Sequence, residues 1–190
     1  MRLFVALELP PEVRFALAAW ARTAAASQRA LAAVSAPSLH LTLCFLDERP
    51  VEQVDRIAAA CAQGAAPAPI VELSLGAPMW LPRRRPRALA IGVRDPDGTL
   101  VALQRRVGDE LVRAGLWVRE ARPFIGHVTV ARVRSSLRGT APTGPAAPAA
   151  LPAIEPLRFQ ADVVNLLRSH LDAGPARYET LASVALGGGE

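Results

Sequence analysis

Hydrophobic and polar positions along the chain repeat with two different periods, which predicts a mixture of strands and helices. Short apolar runs with alternation are typical of strands, whereas longer Ala-rich and Leu-rich stretches with one polar side are typical of helices. We predict strands over residues 2–8, 39–46, 70–75, 88–93, 126–133, 157–167 and 177–185. We predict helices from Pro11 to about Ala32, over 51–62, and from Asp97 or Thr99 to about Ala114.

Strands outnumber helices in this prediction, and strand–helix–strand units recur. Such an order favours an α+β fold in which two antiparallel sheets are backed by helices. Residues 135–156 are dense in Ala, Pro and Gly, and because they cannot bury an apolar face we predict a flexible connector there. The chain of 190 residues is long enough for a globular domain of ordinary size. We therefore expect one bilobal domain over residues 1–190.

A short pattern occurs twice, as His40-Leu-Thr-Leu and as His127-Val-Thr-Val. Side chains two positions apart on a strand point to the same face, so His40 lies beside Thr42 and His127 beside Thr129. The chain contains 3 histidines, and two of them having Thr at this spacing is roughly a 0.5% event from composition alone. The repeat predicts two lobes related by an approximate twofold axis, with the two histidines facing each other across a groove.

Two such pairs suit the chemistry of phosphate esters. An imidazole can give or take a proton at neutral pH, so two of them could serve as the base for water and the acid for a leaving alkoxide. Threonine hydroxyls could donate to the phosphoryl oxygens as negative charge develops on them. No carboxylate or cysteine accompanies His40 or His127 at zinc-type spacing. We therefore expect neither a metal nor another cofactor.

The basic residues indicate which kind of partner the protein binds. All 22 of them are arginine, and the formal net charge is +5. A planar guanidinium suits phosphate and stacks on bases, although a coding bias toward arginine would give the same composition. The run 83–87, beside Trp80, is either a solvated loop or a strip for RNA in which Trp80 stacks on a base. Arg85 and Arg87 are the candidate contacts within this run.

Nothing in the chain predicts a membrane protein. Its apolar runs fall short of the ~20 residues that a spanning helix needs. The first apolar stretch is interrupted by Glu8 and Pro10, so it does not read as a signal peptide. Cys44 and Cys61 lack any paired spacing and are interpreted as free thiols in a reducing compartment. We expect a cytoplasmic monomer that has no contact with membranes.

Three segments carry a resemblance to a known family: Leu39 to Leu46, Arg122 to Arg132, and Ala176 to Glu179. They resemble the 2H phosphoesterase superfamily, and specifically its bacterial and archaeal branch of LigT-like RNA 2',3'-cyclic phosphodiesterases, also called 2'-5' RNA ligases. The likeness extends from the first strand to Tyr178. It implies a bilobal α+β fold with the site in the groove between the lobes. It also implies hydrolysis of a terminal 2',3'-cyclic phosphate of RNA to a 2'-phosphate, without a metal.

The resemblance also implies a role for each matched residue. His40 becomes the proton donor to the leaving 3'-oxygen, and His127 becomes the proton acceptor for water. Thr42 and Thr129 become ligands of the phosphate. Arg132, the basic residue after the second motif, adds positive charge near that phosphate. For Tyr178 the strand pattern allows either the groove or the core, and the resemblance favours the groove.

Other residues of the same segments are weighed by strand parity. Cys44 shares the parity of His40 and is expected to be a groove wall or a packing thiol, since no phosphate-binding loop follows it to support a cysteine nucleophile. Phe45 has the opposite parity and is expected in the core. The third histidine, His170, has no Thr at the second following position and is not expected to be catalytic.

Two positions depart from the family pattern. Asp47 stands where the family usually has Gly after Phe-Leu, and Gly126 stands where it usually has Pro before His. We expect both to lie outside the reacting groups and to affect the shape of loops more than the chemistry.

Other functions fit part of the same pattern. A non-catalytic RNA-binding module would use the basic surface, but it would not need two matched His and Thr pairs. A phosphodiesterase acting on an ADP-ribose cyclic phosphate, or a true 2'-5' RNA ligase, would use the same groups and differ at the rim of the groove. The sequence does not separate these related enzymes.

Overall fold

The computed structural model describes residues 1–28, 30–83, 86–134, 151–170 and 176–187. Within these ranges the strands are Arg2–Leu7 (β1), Leu31–Ala33 (β2), Leu41–Glu48 (β3), Val71–Leu81 (β4), Ala88–Arg94 (β5), His127–Val133 (β6), Arg158–Ala161 (β7), Val163–His170 (β8) and Arg177–Ala185 (β9). The α-helices are Pro11–Ser27 (α1), Val54–Ala65 (α2) and Thr99–Arg113 (α3), with short 3-10 turns at Ala36–Ser38 and Val51–Gln53. None of these helices is both long and apolar enough to cross a lipid bilayer.

The described strands form an antiparallel sheet in the order β7-β4-β5-β6-β3-β1-β8-β9, with β2 added beside β6. In the middle of this order, β3 and β6 are joined by one pair of residues, Leu41 and Val128. We call this pair the seam, because it divides the sheet into one half that contains β6 and another that contains β3. The α+β, bilobal, antiparallel fold predicted from the sequence is confirmed, with the two predicted sheets joined at the seam into one.

The helices cover one face of the sheet through small and branched apolar side chains. In α1 the buried residues include Val13, Leu17, Ala21 and Ala24, which recur every three or four positions and therefore form one stripe. Helices α2 and α3 pack closely, since a Cβ added at Gly64 would come within 2.7 Å of the Cα of Val107. This alanine-rich and leucine-rich packing forms the main core.

Strand β1 is buried on both faces, which decides where the groove lies. Leu3, Val5 and Leu7 belong to the main core under the helices. Phe4 and Ala6 point to the opposite face, where they form a smaller apolar cluster with Leu167, and Tyr178 packs against that cluster. The second face of the sheet is therefore apolar beside β1.

Several element bounds differ from the prediction for physical reasons. Helix α1 ends at Ser27 instead of Ala32, because Leu31–Ala33 pairs with β6 as a strand. The predicted strand 157–167 is interrupted at Asp162 and becomes β7 and β8.

The predicted connector falls partly outside the described residues, since 135–150 are not among them. Its last part lies against the rest of the protein. Leu151 is buried, and the indole nitrogen of Trp20 donates a hydrogen bond of 3.1 Å to the carbonyl of Pro152. This end of the segment thus contacts α1, and the flexible connector stays a prediction.

Candidate active site

The two His-x-Thr motifs meet at the seam. Leu41 pairs with Val128, and in an antiparallel pair the flanking positions place His40 opposite Thr129 and Thr42 opposite His127. Leu41 and Val128 are fully buried, so the flanking side chains point to the other face of the sheet. There, the four His and Thr side chains are each half-buried and line the same cavity. The motifs are thus related by an approximate twofold rotation about the seam, as the repeat predicts.

Both imidazoles are held in the same way by the backbone. The Nδ1 of His40 donates to the carbonyl of Ser38 at 2.9 Å, and the Nδ1 of His127 donates to the carbonyl of Ile125 at 2.7 Å. A carbonyl can only accept, so Nδ1 carries the proton in both rings. Each Nε2 is then left to exchange a proton with a ligand in the groove. The sequence carries no signal for this bond, since every residue has a carbonyl.

The surroundings of His40 are strongly apolar. Its ring lies 4.8 Å from the ring of Phe4 and 5.0 Å from that of Tyr178, centroid to centroid. Burial lowers the pKa of His40 to about 4, a shift that the hydrogen bond to Ser38 opposes and the charges of Arg132 and His127 reinforce. His40 is therefore neutral at pH 7 in the free protein.

The groove is a cavity of about 310 Å³ on this face of the sheet. That volume suits a ligand of nucleotide size, and both motifs line it. Arg132, which is exposed, lines it from β6, and its charge reaches His40. Tyr178, half-buried, lines it from β9, as the resemblance implies. Both candidate residues are therefore beside the two histidines.

Of the candidate contacts around the arginine loop, the two that the structure describes, Trp80 and Arg87, do not line the groove. Trp80 is only 6% exposed and belongs to the main core, so the expectation that its ring stacks on a base is wrong. Arg87 is exposed just before β5, and its backbone bonds to Leu81 and Val133. Arg85 lies outside the described residues.

Two irregularities in the pairing of β3 with β1 interrupt the regular alternation of side chains along β3. Pairing with β1 passes from Thr42 directly to Cys44, and then from Phe45 directly to Asp47. A β-bulge of this kind turns the following side chains to the other face. Phe45 is consequently 50% exposed and lines the groove with Asp47, whereas Cys44 is 1% exposed.

The expectations for these residues are therefore corrected. Phe45 is a groove residue instead of a core residue. Cys44 is the packing thiol of the two alternatives and not a groove wall, and burial raises the pKa of its thiol to about 12, with the neighbouring Cys61 adding to the shift. Such a thiol has no nucleophilic form at neutral pH. Asp47, for which an effect on loop shape more than on the chemistry is expected, lines the groove. Arg2 also lines the groove, and no sequence pattern pointed to it.

Gly126 is required by close packing behind His127. A Cβ built at Gly126 would lie 2.7 Å from methyl groups of both Leu100 and Val93. Any residue with a Cβ, including the Pro that the family usually has, would have to displace these side chains. The Gly at this position, where the family usually has Pro, therefore fits the close packing of α3 and β5 around it.

The third histidine is hydrogen-bonded to a carboxylate at the end of β8. The Nε2 of His170 donates to a carboxylate oxygen of Glu179 at 3.0 Å, and Arg168 lies 3.5 Å from the same oxygen. Across the described ranges, no three His, Cys, Asp or Glu side chains are grouped so that they could hold a metal ion.

Comparison with known proteins agrees with this geometry. The family model described as the 2'-5' RNA ligase superfamily matches residues 10–173. A Thermus thermophilus protein named RNA 2',3'-cyclic phosphodiesterase is 33% identical over 195 residues, covering 99% of this chain and 91% of that protein. A Geobacillus stearothermophilus protein of the same name is 30% identical over 184 residues, which cover 96% of this chain. The chain spans 56% of the length of that relative.

Among solved structures, Escherichia coli LigT in complex with 3'-AMP superposes with a TM-score of 0.73 at 26% sequence identity. The match covers 97% of each chain. The paired motifs, the antiparallel fold and the match over most of the sequence lead to the same assignment: this chain belongs to the 2'-5' RNA ligase superfamily.

Proposed function

We propose that this protein hydrolyses the terminal 2',3'-cyclic phosphate of RNA to a 2'-phosphomonoester, with His40 and His127 as the acid–base pair and without a metal or other cofactor. The observation that carries the proposal is the seam, which brings both His-x-Thr motifs to one cavity, with the Nδ1 atom of each histidine bonded to the backbone. The relatives named RNA 2',3'-cyclic phosphodiesterase and the 3'-AMP held by LigT support the choice of substrate.

The arrangement suits in-line displacement at phosphorus. Water attacks on one side of the phosphorus while the 3'-oxygen leaves on the other, so the two proton-transfer groups must stand on opposite sides. Two imidazoles related by a twofold rotation about the seam meet this requirement. The hydroxyls of Thr42 and Thr129 donate to the non-bridging oxygens, and Arg132 adds positive charge as the transition state forms.

In the proposed roles His127 accepts the proton of water and His40 protonates the leaving oxygen. Since the pKa of His40 is about 4 in the free protein, this donor must acquire its proton when the substrate binds. A phosphate anion beside an imidazole favours the charged ring and so raises its pKa. The opposite assignment, with neutral His40 as the base, needs no such change and is the alternative to test.

Substitution of the leaving atom separates these two assignments. A substrate with sulfur in place of the 3'-oxygen expels a thiolate, which needs no acid because thiols are far stronger acids than alcohols. If His40 is the donor, His40→Ala should lose much less activity on the sulfur substrate than on the natural one. His127→Ala should be equally impaired on both. The reverse pattern would exchange the two roles.

The reaction itself is tested by the product. Purified protein is incubated with an oligonucleotide ending in a 2',3'-cyclic phosphate, and the terminal phosphate is identified. We expect the 2'-phosphate; the 3'-phosphate would mean that the other ring oxygen leaves. Joining of the cyclic end to a 5'-hydroxyl would favour the ligase that gives the superfamily its name. Tight binding without turnover would favour an RNA-binding module.

A further inference from the structure

Beyond the two histidines the groove continues along β3 toward Phe45 and Asp47. The bulges in β3 turn both side chains into the cavity that the His-x-Thr motifs line. The ring of Phe45 is 50% exposed and lies 6.3 Å from the ring of Phe4, centroid to centroid. An exposed aromatic ring beside a phosphate site is the feature on which unpaired bases stack.

The carboxylate of Asp47 is available to a ligand. Its backbone has a φ of 57°, in the left-handed region that Asp tolerates better than most residues. Within the described ranges its side chain has neither a hydrogen bond nor an ion pair, and it is exposed. A negative charge in a groove for anions weakens binding, unless it accepts hydrogen bonds from neutral N–H groups of the ligand.

Arg2 completes the chemistry at this end of the groove. Its neighbour Leu3 pairs with Asp47, so Arg2 and Asp47 sit on adjacent strands, and both line the cavity. No ion pair joins them in the part of the chain that the structure describes. This end of the groove thus contains the carboxylate of Asp47, which can accept two hydrogen bonds, and the guanidinium of Arg2, which can donate two. The exposed ring of Phe45 lines the same cavity.

We propose that Phe45, Asp47 and Arg2 form a nucleobase subsite that selects guanine at the terminal nucleotide of the substrate. Guanine presents adjacent N1–H and N2–H donors, which match a carboxylate, and its O6 and N7 acceptors match an arginine fork. Adenine, cytosine and uracil lack the adjacent donors. This inference rests on the proposed function, since the nucleotide is placed by its cyclic phosphate at the two histidines.

The test uses four dinucleotides that end in a 2',3'-cyclic phosphate and differ only in the terminal base. The protein should show a kcat/KM for the guanine substrate at least about fivefold above that for the adenine substrate, the lower end of discrimination by a good bidentate pair. Asp47→Asn should abolish the preference for guanine, because the amide presents its own N–H to the N–H groups of the base. Asn also tolerates the left-handed backbone, so the fold should persist. The ratio is taken within one variant, which cancels any general loss of folded enzyme.

Asp97→Asn is the matched control, since it removes the same charge from an exposed turn outside the groove and should retain the guanine preference. Equal kcat/KM values for the four substrates, or a guanine preference that survives Asp47→Asn, would overturn the subsite and leave the proposed function standing.

Failure to hydrolyse any of the four would instead refute the proposed function. The dissociation constants of 2'-GMP and 2'-AMP, measured by calorimetry, then decide the subsite. Tighter binding of 2'-GMP that disappears in Asp47→Asn would support it, and equal binding of the two nucleotides would refute it.

Discussion

The ring of Tyr178 stands at 87° to the ring of His40, with their centroids 5.0 Å apart. Phe4 packs against both rings, 4.8 Å from His40 and 5.1 Å from Tyr178. One of the two candidate proton-transfer groups is therefore covered by aromatic rings on β1 and β9. Burial under these rings lowers the pKa of His40 and keeps the ring neutral at pH 7. The effect can be measured in the pH dependence of activity.

The first prediction concerns the acidic limb of the pH profile. The reaction requires one proton on the histidine pair, so kcat/KM falls when His40 is protonated as well. Since burial lowers the pKa of His40 to about 4, the acidic limb should lie near pH 4 instead of 6.5. Tyr178→Ala exposes the ring to water, raises this pKa, and should move the limb to higher pH. Tyr178→Phe keeps the cover and should leave the limb in place.

The shape is the same whichever histidine is the acid, because both assignments need the same number of protons on the pair. An acidic limb at pH 6.5 in the unmodified protein, with chemistry rate-limiting, would contradict the apolar environment of His40.

The second prediction concerns the two histidines themselves. His40→Ala and His127→Ala should each lower kcat by about 10²–10⁴-fold, as expected for the loss of one acid–base group. Both rings line the groove, so circular dichroism and the unfolding midpoint should change little. His170→Ala is the control, because this ring is bound to Glu179 and should be dispensable for catalysis. Full activity in either of the first two variants would remove the mechanism.

The third prediction addresses the metal. Activity should survive exhaustive treatment with EDTA followed by removal of the chelator, since the proposed chemistry uses only side chains of the protein. The same preparation assayed with added Mg²⁺, Mn²⁺ or Zn²⁺ should show no gain in kcat. A loss on chelation that one of these ions restores would refute the metal-free mechanism.

The fourth prediction concerns the buried thiols. Cys44 and Cys61 both have their pKa raised to about 12 by burial, so neither should react with a thiol reagent at pH 8 in the folded protein. Both should react at once in denaturant. Cys44→Ala should keep nearly full activity, because this side chain faces the core and not the groove. Loss of turnover in a folded Cys44→Ala protein would reopen the thiol as a reacting group.

The fifth prediction concerns Gly126. An added methyl would press on Leu100, which is fully buried, and on Val93, so Gly126→Ala should lower the free energy of unfolding by about 1–3 kcal/mol. It should also lower kcat, since His127 follows directly. Ile125→Ala is the matched control: the side chain is 57% exposed, and the carbonyl that accepts from His127 is retained. Denaturant titration and kinetics of the two variants should therefore differ.

The sequence was sufficient for the three α-helices, for most of the strands and for the two His-x-Thr pairs, because these depend on local periodicity. It was not sufficient for Cys44 and Phe45. Their orientation is set by bulges, which arise from how β3 aligns with β1 and leave no mark in β3 alone. Trp80 was misplaced for a related reason, since an alternating strand does not say which of its faces the rest of the protein will cover.

The presence of Asp47 and Arg2 in the groove could also be found only from the structure. They are 45 positions apart in the chain, and only the pairing of β1 with β3 brings them to one end of the cavity. The end of α1 is a similar case: the Ala-rich composition continues through residue 33, but the backbone of Leu31–Ala33 finds partners in β6 and leaves the helix.

The seam affects how firmly the two halves of the sheet are joined. β3 and β6, both within the described part of the chain, share one residue pair, so few backbone bonds hold the two halves together at this point. In the proposed mechanism, a phosphate bound by Thr42 from one half and by Thr129 from the other would link the two halves. A ligand that binds only the assembled groove stabilises the folded state by mass action. The hydrogen bonds proposed to hold the substrate for attack would thus also hold the halves of the sheet together.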